Sequence, residues 1–129
     1  MAQRRVLVAD DDPVNLAGMC ELLTHWGHDV TGAADGKMAL KAAGSRRPDV
    51  AIVDLGLPDG DGLDVIRQLK ADGMFVIAFS WNKAELAARA AGADAFVLKS
   101  NLDQLERLLR EAAPRAGDAI DDPPGKKTA

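Results

Sequence analysis

Short apolar runs return along this chain at residues 6–9, 30–33, 50–55, 74–79 and 95–98, and that rhythm constrains the fold more than any other feature. Four of the runs are nearly continuous rather than alternating, the pattern of strands in a parallel sheet covered on both faces. The second run, VTGA, is weaker and is expected at an edge. Between the runs lie segments with helical spacing and marked ends. Asp12-Pro13 reads as a cap followed by proline at the first helical position. Leu16, Met19, Leu23 and Trp26 then form one stripe, which Gly27 stops. Asp35 opens a second helix carrying Leu40 and Ala43, and Leu63, Ile66 and Leu69 stripe a third. A short alanine-rich fourth helix near residues 84–91 ends at Gly92, and Asn101 with Gln104 resembles a capping box ahead of Leu105, Leu108 and Leu109. Five alternations of strand and helix predict an α/β fold: a doubly wound, five-stranded parallel sheet in the order 2-1-3-4-5, with helices on both faces. The ligand crevice of such a sheet lies at the carboxyl ends of its strands.

Composition narrows the function classes. The 129 residues suffice for one domain, expected over 1–113, followed by a C-terminal tail over 114–129 whose proline, glycine and mixed charges carry no stripe. Sixteen basic against twenty acidic residues give a net charge of −4, with no basic cluster dense enough to neutralise a row of phosphates, so direct nucleic-acid binding is not expected. The lone Cys20 has no disulfide partner and suits a reducing compartment as a buried filler. Neither a signal-peptide core nor a membrane span is present in the sequence, which predicts a cytoplasmic protein without membrane contact. His25 and His28 flank a helix end and are expected in solvated or capping roles.

The chemistry-bearing residues fall at strand ends. Asp10 and Asp11 follow the first strand, Asp54 lies in the third, Ser80 follows the fourth and Lys99 the fifth, so all converge on one edge of the sheet. Asp12, directly before Pro13, is better explained as a helix cap. Adjacent carboxylates repel, and a hard oxygen-seeking cation is the usual means of keeping such a cluster ionised. Mg²⁺ fits because it retains waters and leaves room for a phosphate oxygen. Asp54 begins DLGLPDGDG, where Pro58, Gly60 and Gly62 predict a tight loop that presents the carboxylate on a rigid edge. A lysine is most often a solvated amine, but Lys99 follows the apolar run AFVL and is placed to pair with Asp54. A serine hydroxyl such as that of Ser80 donates readily to a phosphoryl oxygen.

The segments VLVADDDP, PDVAIVDLGLPDGDG, VIAFS and GADAFVLK, in this order and spacing, resemble the successive signatures of the response-regulator receiver family of two-component signalling, over about residues 4 to 113. The resemblance implies a flavodoxin-like sheet and a phosphoacceptor rather than an enzyme, with phosphotransfer and dephosphorylation catalysed by the domain on itself. Asp54 would accept a phosphoryl group from a histidine kinase or a histidine phosphotransfer protein. Asp11 would bind Mg²⁺ directly, Asp10 largely through water, and Asp54 and the Gly56 backbone carbonyl would complete the protein ligands. Ser80 and Lys99 would hold the phosphoryl group, and Ser80 with Phe96 would form the switch read by a downstream protein.

Three departures from the family pattern accompany this resemblance. Ser100 stands where proline in a cis peptide normally follows the lysine, which predicts a trans bond here. Trp81 stands where a small residue is usual, and its bulk suggests a gate at the entrance to Asp54. The segment from Ser80 to Gly92 is shorter than the norm by roughly one helical turn, predicting a fourth helix under three turns long. These departures favour, as an alternative, a pseudo-receiver that serves as an interaction scaffold. Asp10-x-Asp12 separately resembles the acid pair of haloacid-dehalogenase-type phosphohydrolases, a reading that requires Asp12 to be free of capping.

Overall fold

A computed structural model describes residues 3–57, 62–81 and 84–112. The elements alternate as expected: β1 (Arg5–Ala9), α1 (Pro13–His25), β2 (Asp29–Ala33), α2 (Gly36–Arg46), β3 (Val50–Asp54), α3 (Gly62–Ala71), β4 (Phe75–Ser80), α4 (Glu85–Ala91), β5 (Ala95–Leu98) and α5 (Leu102–Arg107). All four strand pairings are parallel, and the sheet order is β2-β1-β3-β4-β5, which puts the weak second run at an edge.

The helix ends follow from local chemistry. Asp12 Oδ1 accepts the N–H groups of Val14 (2.9 Å) and Asn15 (3.4 Å), while Pro13, having no N–H, occupies a position where none is needed. Gly27 then leaves the helix at φ +98°, a left-handed conformation that costs glycine little. Asp35 caps α2 through the Met38 N–H at 2.8 Å. The seven residues of α4 have no side-chain N-cap bond and make roughly two turns, as the shortened segment predicts. The expected capping box at Asn101 is half formed. Asn101 Oδ1 accepts the Gln104 N–H, but its own backbone N–H donates to the Leu98 carbonyl, so the Gln104 side chain bonds the Asn101 side-chain amide instead. Beyond Arg107 the last turn widens into a π-helix, Leu108–Ala112.

Side-chain alternation along the strands fills two separate cores. Leu7, Ala9, Ala51, Val53, Val76, Ala78 and Phe96 face α2, α3 and α4; Val6, Val8, Val50, Ile52, Ile77, Phe79, Ala95 and Val97 face α1 and α5. Burying each large aliphatic contributes roughly 1.5–3 kcal/mol. On the first face, α2 and α4 bury chiefly alanines, Ala39, Ala43, Ala88 and Ala91, with Leu40 of α2 packed part-buried against them, while α3 supplies the larger Val65, Ile66 and Leu69. Gly62, the first residue of α3, abuts the end of β3. A Cβ there would lie 2.7 Å from the Leu55 Cα and carbonyl oxygen and 2.9 Å from the Asp54 carbonyl oxygen. The expected tail over 114–129, and Pro58 and Gly60 of the acidic loop, lie outside the described residues. Among the described residues no helix is long and apolar enough to cross a membrane.

Candidate functional site

The parallel register carries the ends of β1, β3, β4 and β5 to one edge. Asp10 directly follows β1; its N–H donates to the Ala33 carbonyl (3.0 Å), and its carboxylate is buried. Asp10 Oδ1 accepts the Asp12 N–H at 3.0 Å, and Oδ2 accepts from Lys99 Nζ at 3.0 Å. Asp54 closes β3 with Oδ1 accepting the Gly56 N–H at 3.2 Å and Oδ2 lying 3.4 Å from Lys99 Nζ. Asp11 is exposed beside them, and carboxylate oxygens of Asp10, Asp11 and Asp54 lie within 4.8 Å of one another. Lys99, with a side chain only 6% exposed, bridges two of the three acids.

Among the described residues, negative groups therefore exceed positive ones in a partly dry space. Burial pushes the Asp54 carboxyl above its ordinary range, the Gly56 N–H and the Lys99 ammonium pull it back, and the neighbouring Asp10 carboxylate raises it. This donor set of clustered hard oxygens fits a small divalent cation such as Mg²⁺.

Ser80, the last residue of β4, is buried, and its carbonyl accepts the Lys99 N–H at 2.8 Å. Alternation places its side chain on the α3/α4 side, the face to which Phe96 also points. Phe96 is buried against that core and lines an open pocket of about 430 Å³ with Glu85, Arg89, Leu98, Asn101 and Gln104. Trp81 directly follows β4; its ring centroid is 6.0 Å from Lys99 Nζ, and it is 67% exposed at the crevice. The peptide after Lys99 is trans, since the described residues contain no cis bond.

The structure thus brings Asp10, Asp11, Asp54 and Lys99 together and sets Ser80 and Trp81 at the rim. It commits Asp12 to capping α1, which removes the free second acid that a phosphohydrolase reading requires. Sequence reasoning missed Phe79, whose ring centroid is 5.9 Å from Lys99 Nζ; its place two positions before Trp81 on a strand was the available signal. It also misplaced His28, which is buried rather than solvated. His28 Nδ1 accepts the Arg4 N–H at 3.1 Å at the other end of the sheet, and burial, with the Arg4 charge, holds its pKa below the usual value.

The response regulator receiver domain model matches residues 6–110. The chain belongs to the response-regulator receiver family. It is 36% identical over 118 residues to the probable transcriptional regulatory protein TcrX of Mycobacterium tuberculosis, covering 87% of this chain and 50% of that protein. It is 39% identical over 115 residues to the M. tuberculosis transcriptional regulatory protein KdpE, covering 85% and 51%. The chain therefore spans about half the length of these curated relatives. Among solved structures it is similar to a CheY-like receiver domain protein of Methanospirillum hungatei, with TM-score 0.77, 26% identity and coverage of 85% of this chain and 94% of that one. The Thermotoga maritima response regulator TrrA in complex with Mg²⁺-BeF aligns with TM-score 0.76 and 29% identity, over 84% and 97% of the two chains.

Proposed function

We propose that this receiver is a phosphoacceptor whose acceptor atom is an Asp54 carboxylate oxygen, supplied by a histidine kinase or a histidine phosphotransfer protein. The observation that carries the reading is the placement of Asp54 at the open end of β3, 3.4 Å from the Lys99 ammonium and clustered with Asp10 and Asp11. An Asp54 oxygen attacks phosphorus, the new P–O bond forms as the P–N bond to imidazole breaks, and the imidazole nitrogen leaves with the electron pair. Water attacking the acyl phosphate later releases inorganic phosphate and restores the carboxylate. Lys99 neutralises charge on both the acceptor and the incoming phosphoryl oxygens, which otherwise repel. Mg²⁺, held by Asp10, Asp11, Asp54 and the Gly56 carbonyl, supplies further neutralisation when bound.

Ser80 then donates its hydroxyl to a phosphoryl oxygen, and the resulting shift at the end of β4 changes the space available to Phe96 on the same face. Phosphorylation thereby biases two pre-existing arrangements. Output passes through contacts with a downstream protein; the receiver itself contacts neither nucleic acid nor membrane and works in the cytoplasm. The α4 surface is reduced to a short helix, so partner binding depends more on α1 or α5, and the phosphodonor docks beside Asp54, where α1 is nearest, because phosphoryl transfer demands contact distances. Trp81 forms part of the entrance.

Incubation with Mg²⁺ and acetyl phosphate tests the assignment by mass measurement. One phosphoryl group is expected on the wild type and none on Asp54→Asn or after Mg²⁺ removal with EDTA. Undiminished labelling of Asp54→Asn would falsify it.

A further inference from the structure

We infer that Trp81 is a positioning residue for Lys99, its indole and the Phe79 ring together holding the ammonium where it reaches both Asp10 and Asp54. This deepens the phosphoacceptor reading and rests on it. Lys99 is fixed at its backbone, where its N–H bonds the Ser80 carbonyl at 2.8 Å, but its four-carbon stem has many rotamers. The crevice is open, with Asp11 exposed and Trp81 itself 67% exposed, yet the Lys99 side chain is only 6% exposed. Phe79 and Trp81 help to account for that shielding. Phe79 lies in β4 and Trp81 directly follows it, and their ring centroids lie 5.9 and 6.0 Å from Nζ.

The two rings differ in what holds them. Phe79 is 4% exposed and anchored in the α1/α5 core, so packing alone explains its presence. Trp81, 67% exposed, contributes little to that core, and its ring lies against the ammonium. An aromatic face carries negative quadrupole density, so it attracts the ammonium while excluding water from one side. The drier setting strengthens the attraction of Lys99 to the carboxylates and restricts it to positions from which it can serve either the acceptor or an incoming phosphoryl group.

A clamp and a simple gate predict opposite results. Removing a gate admits donor more readily, so Trp81→Ala would speed phosphoryl uptake. Removing a clamp lets Lys99 swing away and slows it. With Mg²⁺ and acetyl phosphate, Trp81→Leu and Trp81→Ala are expected to take up phosphoryl about three- to thirty-fold more slowly, the range of a partly desolvated cation–aromatic contact, while Trp81→Phe stays within about twofold. Leucine preserves apolar bulk without the π face, so a merely structural role would leave Leu and Phe alike.

A second readout does not depend on phosphorylation. In a Trp26→Phe background the only remaining tryptophan is Trp81, and replacing Lys99 by Met there should shift its fluorescence emission. Uptake in the Leu and Ala variants as fast as wild type, or emission indifferent to Lys99→Met, overturns the inference. If the wild type takes up no phosphoryl group, the phosphoacceptor reading fails, and the emission measurement alone decides whether Trp81 holds Lys99.

Discussion

The two ends of the sheet both bury charged or polar side chains, and they treat them differently. At the amino end, Arg4 is buried just before β1, with its Nε donating to the Leu109 carbonyl at 2.9 Å and its backbone N–H donating to His28. Asp49 accepts the Arg5 N–H, and Asp94 takes Lys70 Nζ at 2.8 and 2.9 Å together with the Val76 N–H at 2.8 Å. Charge there meets opposite charge or a backbone dipole, and the groups tie β1, β4 and β5 to the helices beneath. At the carboxyl end, among the described residues, the carboxylates of Asp10, Asp11 and Asp54 cluster around one paired ammonium, that of Lys99, which reaches Asp10 and Asp54. A balanced end stabilises the fold; an end left electrostatically incomplete is prepared for something to arrive. The contrast gives a sharper criterion for a site than burial alone, since Arg4 and Asp10 are about equally buried.

Opposite signs of mutational effect would express that contrast. The largest is expected at the balanced end. Arg4→Met keeps the aliphatic stem but loses the charged donor to the end of α5, and should destabilise the domain by about 1.5–3 kcal/mol in urea unfolding. Stability equal to wild type would break the comparison at its strongest point. At the incomplete end, Asp54→Asn should stabilise. A carboxyl whose folded pKa is raised contributes stability below its unfolded pKa and loses it as pH rises through the folded value, so ionised Asp54 destabilises the fold at neutral pH. Removing that charge should raise Tm at pH 7, by about 4 °C for each kcal/mol relieved. A lowered Tm would show that the carboxylates there are as well compensated as those at the other end.

The smallest effect sharpens the balanced end further. The folded chain holds His28 below its usual pKa, so as pH falls below 6.5 the unfolded chain takes up a proton that the folded one resists. Stability should therefore decline on acidification until the folded-state pKa is passed, with a slope of at most about 1.4 kcal/mol per pH unit. His28→Asn, which keeps an acceptor for the Arg4 N–H, should flatten the difference between unfolding curves at pH 7.5 and 5.5. Parallel pH dependence in the two proteins would remove His28 from the account.

Much of this was legible in the sequence because it is local. The strand runs lie within a residue of the observed ends, Asp12-Pro13 does what a cap and proline do, and the weak VTGA run is an edge. The convergence of Asp10, Asp54, Ser80 and Lys99 followed from one rule about parallel sheets, with no side-chain detail needed. What escaped depends on pairing between distant positions. Nothing near Arg4 announces that a carbonyl 105 residues away needs it, and Lys70 finds Asp94 only because α3 packs beside α4, whose turn into β5 carries Asp94. Capping at Asn101 was misread because its N–H had a nearer partner in the Leu98 carbonyl. Trp81 was visible as an oddity of size, but its neighbour across the crevice was not, since the ammonium that it meets arrives from the next strand.

Gly62 carries a consequence in the language of mutational tolerance. The missing Cβ leaves α3 in backbone contact with Leu55 and Asp54, closer than any side chain allows, so the acceptor strand and the helix meet without slack. Position 62 therefore has an alphabet of one. Its neighbour Leu63 is half-buried with its side chain packed against the core, and can drift among apolar residues. A library randomised at both positions and sorted for folded protein would return a single letter at the first and a family of letters at the second, a boundary between geometry and mere hydrophobicity drawn across one peptide bond.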